Sequence, residues 1–140
     1  HETGLPPELL EVEVTEGVLI ASKEKIAATL RELSEIGVSI ALDDFGTGYS
    51  CLSVLSRLNV NTIKLDRSLL PEGDNKKSVV LYQHLAKICE ELGFNVVAEG
   101  VESQMHEEVV KKAQIHSAQG FLYNKALPFN VAMALLNPKN

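Results

Sequence analysis

The residues best suited to chemistry sit where short apolar runs end. Asp43 and Asp44 close the run VSIAL and open the stretch DDFGTGYS (43–50), with Gly46 and Gly48 just beyond them. Adjacent carboxylates repel, and a cation between them removes the conflict. A turn alone needs one Asp or Asn. Three other short runs end in charge: Glu13 lies in LEVEVTE (10–16), Lys64 in TIKLD (62–66) and Glu99 in NVVAE (95–99), and Gln119 precedes Gly120 in QGF (119–121). With a period of two along each strand, Glu13, Asp43, Lys64, Glu99 and Gln119 project from one side of five consecutive strands. Any one of them alone reads as a strand-end residue reaching solvent; five in register do not. Oxygen-only ligands select magnesium, manganese or calcium. Two such ions about 4 Å apart support in-line attack on a phosphodiester. Asp43 suits a shared ligand and Asp44 a second one, provided the strand stops so that Asp44 can turn inward. Lys64 suits a water or a phosphoryl oxygen, and Glu99 a ligand or a proton acceptor. Carboxylates with a lysine base also fit proton abstraction beside magnesium, and residue types alone leave both chemistries open.

Strands and helices alternate in the order that would position these groups. Strands are expected at 10–16, 38–43, 62–65, 95–99 and 117–122. Helices are expected at 21–36, around Leu52, Leu55 and Leu58, along the stripe Leu81, Leu85, Ile88 and Leu92, from a Ser103 cap to Ala113, and at 131–136. Gly37 and Gly93 stop two of them. Such alternation means a mostly parallel sheet with crossover helices. A (β/α) barrel with its site at the C-terminal strand ends and an open doubly wound sheet both fit; the inward-facing polar residues favour the barrel.

The chain has 140 residues, 45% of them hydrophobic, and a net charge of −6. One domain with a core is expected. No apolar run is long enough to span a membrane, and HETGLPPELL has no secretory pattern. Basic residues cluster no further than Lys76-Lys77 and Lys111-Lys112, which argues against nucleic acid as a partner. Cys51 and Cys89 lack metal-site spacing, and a reduced, cytoplasmic segment is expected. Cys89 is expected in the core and Cys51 as a small packed residue. His1, His84, His106 and His116 show no ligand spacing and are expected as surface or helix residues.

The ordered set EVTE (13–16), DDFGTGYS (43–50), KLD (64–66), AEGVE (98–102) and QGF (119–121) resembles the EAL-domain family of bacterial phosphodiesterases. The resemblance implies a modified TIM barrel that linearises cyclic di-GMP to pGpG with Mg2+ or Mn2+. It implies metal ligation by Glu13, Asp43, Asp44 and Glu99, with Lys64 and Glu99 catalytic. It places Glu16 as support for the loop after the DDFG strand and Glu102 as support for Glu99. Phe45, Gly46, Thr47, Gly48, Tyr49, Asp66 and Gln119 are placed with substrate binding or loop support. Cys51 stands where the family usually has a serine, and Ala126 where it usually has a proline.

The family's Glu-Ala-Leu triplet and a following asparagine are not in these 140 residues, and a full barrel needs about 250. Residues 1–140 are therefore expected to be the C-terminal part of an EAL domain, a partial TIM-type barrel of about five strands out of eight, inactive alone and weak in metal binding. Open strand edges lead to an expected homo-oligomer. The longer protein is expected to carry an upstream sensor or cyclase domain, and its own membrane attachment is left open. The alternative to an enzyme is a non-catalytic cyclic di-GMP receptor.

Overall fold

The computed structural model describes residues 4–21, 23–47, 55, 59–73 and 75–136. Among the described residues, five strands form one parallel sheet in the order β1 (Glu11–Thr15), β2 (Ser39–Phe45), β3 (Thr62–Leu65), β4 (Asn95–Ala98) and β5 (Ser117–Ala118). The helices whose bounds lie within the described residues are α1 (Glu16–Ala21), α2 (Lys23–Glu35), α3 (Lys76–Glu91), α4 (Gln104–Lys112) and α5 (Phe129–Leu136). The expected α/β architecture holds: each strand pairs with the next in sequence, and β1 and β5 are the sheet's edges, so the barrel is partial.

The middle strand shows why the sheet must be covered. Thr62, Ile63, Lys64 and Leu65 are all buried, as expected for a parallel strand packed on both faces. Ile63 and Leu65 join Leu42, Val96 and Ala98 in a core closed by Tyr82, Ala86 and Cys89 of α3, Val109 and Val110 of α4, and Ala113 just past it. Each such large side chain contributes about 1.5–3 kcal/mol by leaving water. Local signals fix the helix ends. Asn75 caps α3 by accepting from the backbone N–H groups of Lys77 and Ser78. Ser103 caps α4 as expected, its Oγ accepting from the His106 N–H at 3.2 Å. Gly37 and Gly93 follow α2 and α3 at φ +95° and +90°, a left-handed region open to glycine.

Several boundaries differ from the expected ones. Glu16 begins a helix instead of ending β1, and the helix expected at 21–36 is preceded by α1. Strand β2 does not stop at Asp43 but continues to Phe45 through a register shift. The fifth strand covers only Ser117 and Ala118, and α5 begins at Phe129. Of the helix expected around Leu52, Leu55 and Leu58, only Leu55 is among the described residues; it is helical and buried.

The largest correction concerns α3. Its buried face is Tyr82, Ala86 and Cys89, whereas Leu81 is 65% exposed and Ile88 and Leu92 face outward. The buried face is rotated by about one residue from the leucine stripe, of which Leu85 still packs against the core. Cys89 is buried as expected, and burial, followed by the charge of Glu90, pushes its thiol up to about 11. His84 and His116 are exposed, while His106 is buried. No helix among the described residues is long and apolar enough to cross a membrane.

Candidate active site

A lysine in a fully buried strand must find partners, because an isolated charge out of water is costly. Lys64 is 6% exposed. Its Nζ lies 2.7 Å from Glu13 Oε1, 2.9 Å from Asp43 Oδ1 and 2.9 Å from Glu99 Oε1. The three carboxylates come from β1, from β2 and from the end of β4. Gln119, just past β5, donates from Nε2 to Glu99 Oε1 at 2.6 Å. All five side chains that strand parity placed on one side therefore meet at the C-terminal strand ends. One layer below, Thr62 Oγ1 donates to Glu11 Oε2 at 2.9 Å, a pairing of the same parity that periodicity alone does not single out.

Asp44 arrives by a different route. In a regular strand it would point away from Asp43. The shift between Leu42 and Phe45 and a φ of +54° at Asp44 break the alternation. Aspartate tolerates this left-handed conformation better than most residues. Thr47 holds the turn, donating to the Asp44 carbonyl from its N–H at 3.2 Å and from Oγ1 at 2.9 Å. Phe45 is thereby sent into the core. A bulge, and not the end of a strand, is what turns Asp44 inward. Gly46 follows at φ +105°, where a Cβ would fall 2.5 Å from a methyl carbon of Leu69, so the loop passes too closely for a side chain.

Oxygen atoms of Asp43, Asp44 and Glu99 lie within 4.8 Å of one another. Three convergent carboxylates with no sulfur or nitrogen among them fit a hard divalent cation. Glu13 reaches Lys64 but is not one of this group. Electrostatics around the cluster pull two ways. Burial lowers the Lys64 pKa, but the hydrogen bonds to Glu13, Glu99 and Asp43 outweigh it and hold the ammonium above the ordinary lysine value. For Glu99, burial raises the pKa; Lys64 opposes this, and the charges of Asp43 and Asp44 add to it, leaving the carboxyl above the usual glutamate value. The two shifts agree: Lys64 is shared among three carboxylates and cannot neutralise Glu99 fully.

The remaining residues divide. Glu16 is buried, and neither of its carboxylate oxygens has a hydrogen-bond partner among the described residues. Of the loop it was expected to support, Gly48, Tyr49 and Ser50 lie outside the described residues, as does Cys51. Asp66 caps the short 3-10 turn Arg67–Leu69 by accepting from the Ser68 N–H at 2.9 Å. Burial raises the Asp66 pKa, but the bonds to Ser68 and Arg67 bring it below the usual value. Glu102, expected to support Glu99, pairs with Arg67, and its own N–H donates to His106 Nδ1 at 3.3 Å. Neither Arg67 nor His106 stands out in the sequence as a site residue. A signal exists all the same: Arg67 lies three residues after Lys64, and Glu102 three after Glu99, past the ends of adjacent strands.

An EAL domain family model matches residues 1–126. The chain belongs to the EAL domain family. It is 35% identical over 129 residues to the cyclic di-GMP phosphodiesterase NbdA of Pseudomonas aeruginosa, a match covering 91% of this chain and 16% of that protein. The crystal structure of the EAL domain of Mycobacterium smegmatis DcpA superimposes with a TM-score of 0.87 at 38% identity, over 96% of this chain and 61% of that one. BlrP1 of Klebsiella pneumoniae, in a manganese and cyclic di-GMP complex, gives a TM-score of 0.78 at 34% identity, over 86% of this chain and 31% of that one. The chain spans about a fifth of the length of the curated relatives it matches, from 17% to 22% of the first five.

Proposed function

We propose that the EAL domain containing these residues hydrolyses cyclic di-GMP to linear pGpG in a reaction that depends on Mg2+ or Mn2+. The observation that supports this most is the Lys64 ammonium held among carboxylates from three strands, with Asp44 turned in to join two of them. Asp43, Asp44 and Glu99 would hold the divalent cation, which supplies positive charge to the phosphodiester and acidity to a water. Glu13, whose carboxylate pairs with Lys64 here, is carried into the proposed ligand set by the family resemblance.

In this reading Lys64 stays protonated through the turnover, because its partners keep its pKa high. It orients the attacking water and draws charge from a phosphoryl oxygen. Glu99, beside the cation and Lys64, accepts the proton that the water loses. Gln119 fixes the Glu99 carboxylate through its Nε2 donor. Water adds to phosphorus, the bond to one ribose 3′ oxygen breaks, and that oxygen leaves as a hydroxyl, taking its proton from solvent. By the family resemblance, Asp66, Gly46, Thr47, Gly48 and Tyr49 serve substrate binding or loop support and Glu16 backs the loop, while Phe45 anchors the loop's start in the core.

Residues 1–140 act as the C-terminal part of the domain, and ligands from outside this segment complete the site; the segment alone is inactive. The domain works in the cytoplasm behind a sensor or cyclase domain. It forms a homo-oligomer, a reading supported by exposed apolar side chains such as Leu81 and Leu136. The test is chromatographic. Full-length protein carrying this chain is incubated with cyclic di-GMP and Mn2+. Linear product that disappears with EDTA and with Glu99→Gln is expected. Nucleotide that binds but is returned intact would reject the enzyme and leave a cyclic di-GMP receptor.

A further inference from the structure

Arg67 follows Asp66 at the end of β3, and the register of Lys64 against Val97 and Leu65 against Ala98 brings it level with Gly100. Gly100 has φ +64°, and a Cβ there would fall 2.5 Å from Arg67 Cβ and 2.8 Å from Cγ. The arginine stem thus lies across the glycine. Its guanidinium pairs with the Glu102 carboxylate. Glu102 is held again at its backbone by the buried His106. Backbone bonds fix the residues on either side of Gly100: Glu99 N–H donates to the Leu65 carbonyl at 3.0 Å, and Val101 N–H to the Gln119 carbonyl at 3.1 Å. Gly100, the residue with the widest conformational freedom in this turn, is the one that Arg67 covers.

We propose that Arg67 is a positioning residue for the carboxylate cluster: by crossing Gly100 and pairing with Glu102, it clamps the Glu99–Glu102 turn and so sets the place of the Glu99 carboxylate beside Asp43 and Asp44. The proposal rests on reading that cluster as a divalent-cation site. Arg67 is half in solvent, its side chain 56% exposed, and pairs of this kind add little to stability. What the pair does supply is direction. Groups that hold a ligand residue from outside typically change metal affinity by about 10- to 100-fold when removed, and a small misplacement of a reacting group costs rate.

The experiment uses the full-length protein carrying this chain and reads free Mn2+ by electron paramagnetic resonance. Arg67→Met keeps the stem and removes the guanidinium; Glu102→Gln cuts the same tie from the other side, so the outcome does not hang on one variant folding. Each should weaken Mn2+ binding about tenfold, and the double variant should be no weaker than either single one. Arg67→Lys should recover most of the affinity. The metal-free melting temperatures should stay close to that of the unmodified protein. With cyclic di-GMP, kcat should fall in the two single variants while KM changes little. Unchanged Mn2+ affinity in Arg67→Met and Glu102→Gln, or losses that simply add in the double variant, would overturn the proposal. Protein that binds Mn2+ but leaves cyclic di-GMP intact counts against the phosphodiesterase, not against the clamp, which is judged on Mn2+ affinity.

Discussion

The strand-end rim and the outer face of α3 both carry a periodic pattern, with opposite results. On the rim, the period of two placed Glu13, Asp43, Lys64, Glu99 and Gln119 on one side, and they meet there within hydrogen-bonding distance. On α3, the leucine stripe pointed beside the buried face: Leu85 packs against the core, but Leu81 is exposed and its neighbour Tyr82 is 1% exposed. A strand has two faces, so one polar residue among apolar ones settles the orientation. A helix face shifts by about 100° per residue, and apolar residues on neighbouring faces leave several rotations open. The buried face is the one that carries Tyr82, Ala86 and Cys89.

The largest expected effect is on the rim. Lys64→Met keeps the volume and removes the charge, leaving Glu13, Asp43 and Glu99 facing one another. Turnover of cyclic di-GMP should fall by about 10²–10⁴-fold. Metal-free stability should fall by about 2–4 kcal/mol, less than a fully buried pair would lose because Glu13 is half in solvent. Urea unfolding and product chromatography read the two effects; stability equal to the parent's would mean that the lysine is not what holds the carboxylates together.

Gly46→Ala tests the turn that follows the bulge. The backbone is in the left-handed region, and the added methyl carbon meets the Leu69 side chain at 2.5 Å. A loss of about 1–3 kcal/mol is expected in thermal unfolding, together with weaker Mn2+ binding, since Asp44 lies two residues before it.

The pH dependence is subtler. The folded-state pKa of Glu99 lies above its unfolded value, so the folded protein holds that proton more tightly. The stabilisation is present below the ordinary glutamate pKa and is lost as pH rises through the raised folded value. A cation requires the ionised form and reverses this trend. Mn2+ should therefore raise the melting temperature more at about pH 8 than at about pH 5, and Glu99→Gln should flatten the difference. Asp66 acts in the opposite sense: its lowered pKa gives stability that is present above the ordinary aspartate value and lost as pH falls through the folded one.

The smallest effect belongs to the outer face. Leu81→Lys should change stability by no more than about 0.5 kcal/mol in the monomer, whereas Ala86→Lys, one turn further on the buried face, should prevent α3 from packing. Circular dichroism melts of both variants would show whether the helix rotation is right.

The sequence revealed most of the sheet and most of the site, for physical reasons visible in particular residues. Lys64 in a four-residue apolar strand could only point where carboxylates met it. The Asp44 bulge was hidden because its cause, a positive φ, leaves no mark on the period; adjacency of two aspartates hinted at it. The Arg67–Glu102 pair was hidden because it depends on β3 lying beside β4, which parity within one strand does not tell. The short β5 and the early start of α5 were missed at Ser117–Leu122 and Phe129, where apolar side chains such as Phe121 and Phe129 stay exposed and burial gives no boundary.

The central claim is that Asp43, Asp44 and Glu99 form a divalent-cation site. The most direct test is a Mn2+ titration of the full-length protein and of Asp44→Asn, with free ion read by electron paramagnetic resonance. Asparagine accepts the left-handed backbone at least as readily as aspartate, so the bulge survives and only the charge is lost. Saturable binding that weakens by at least about tenfold in the variant is the predicted result. Equal binding in the two proteins would contradict the claim and place the cation, if any, elsewhere.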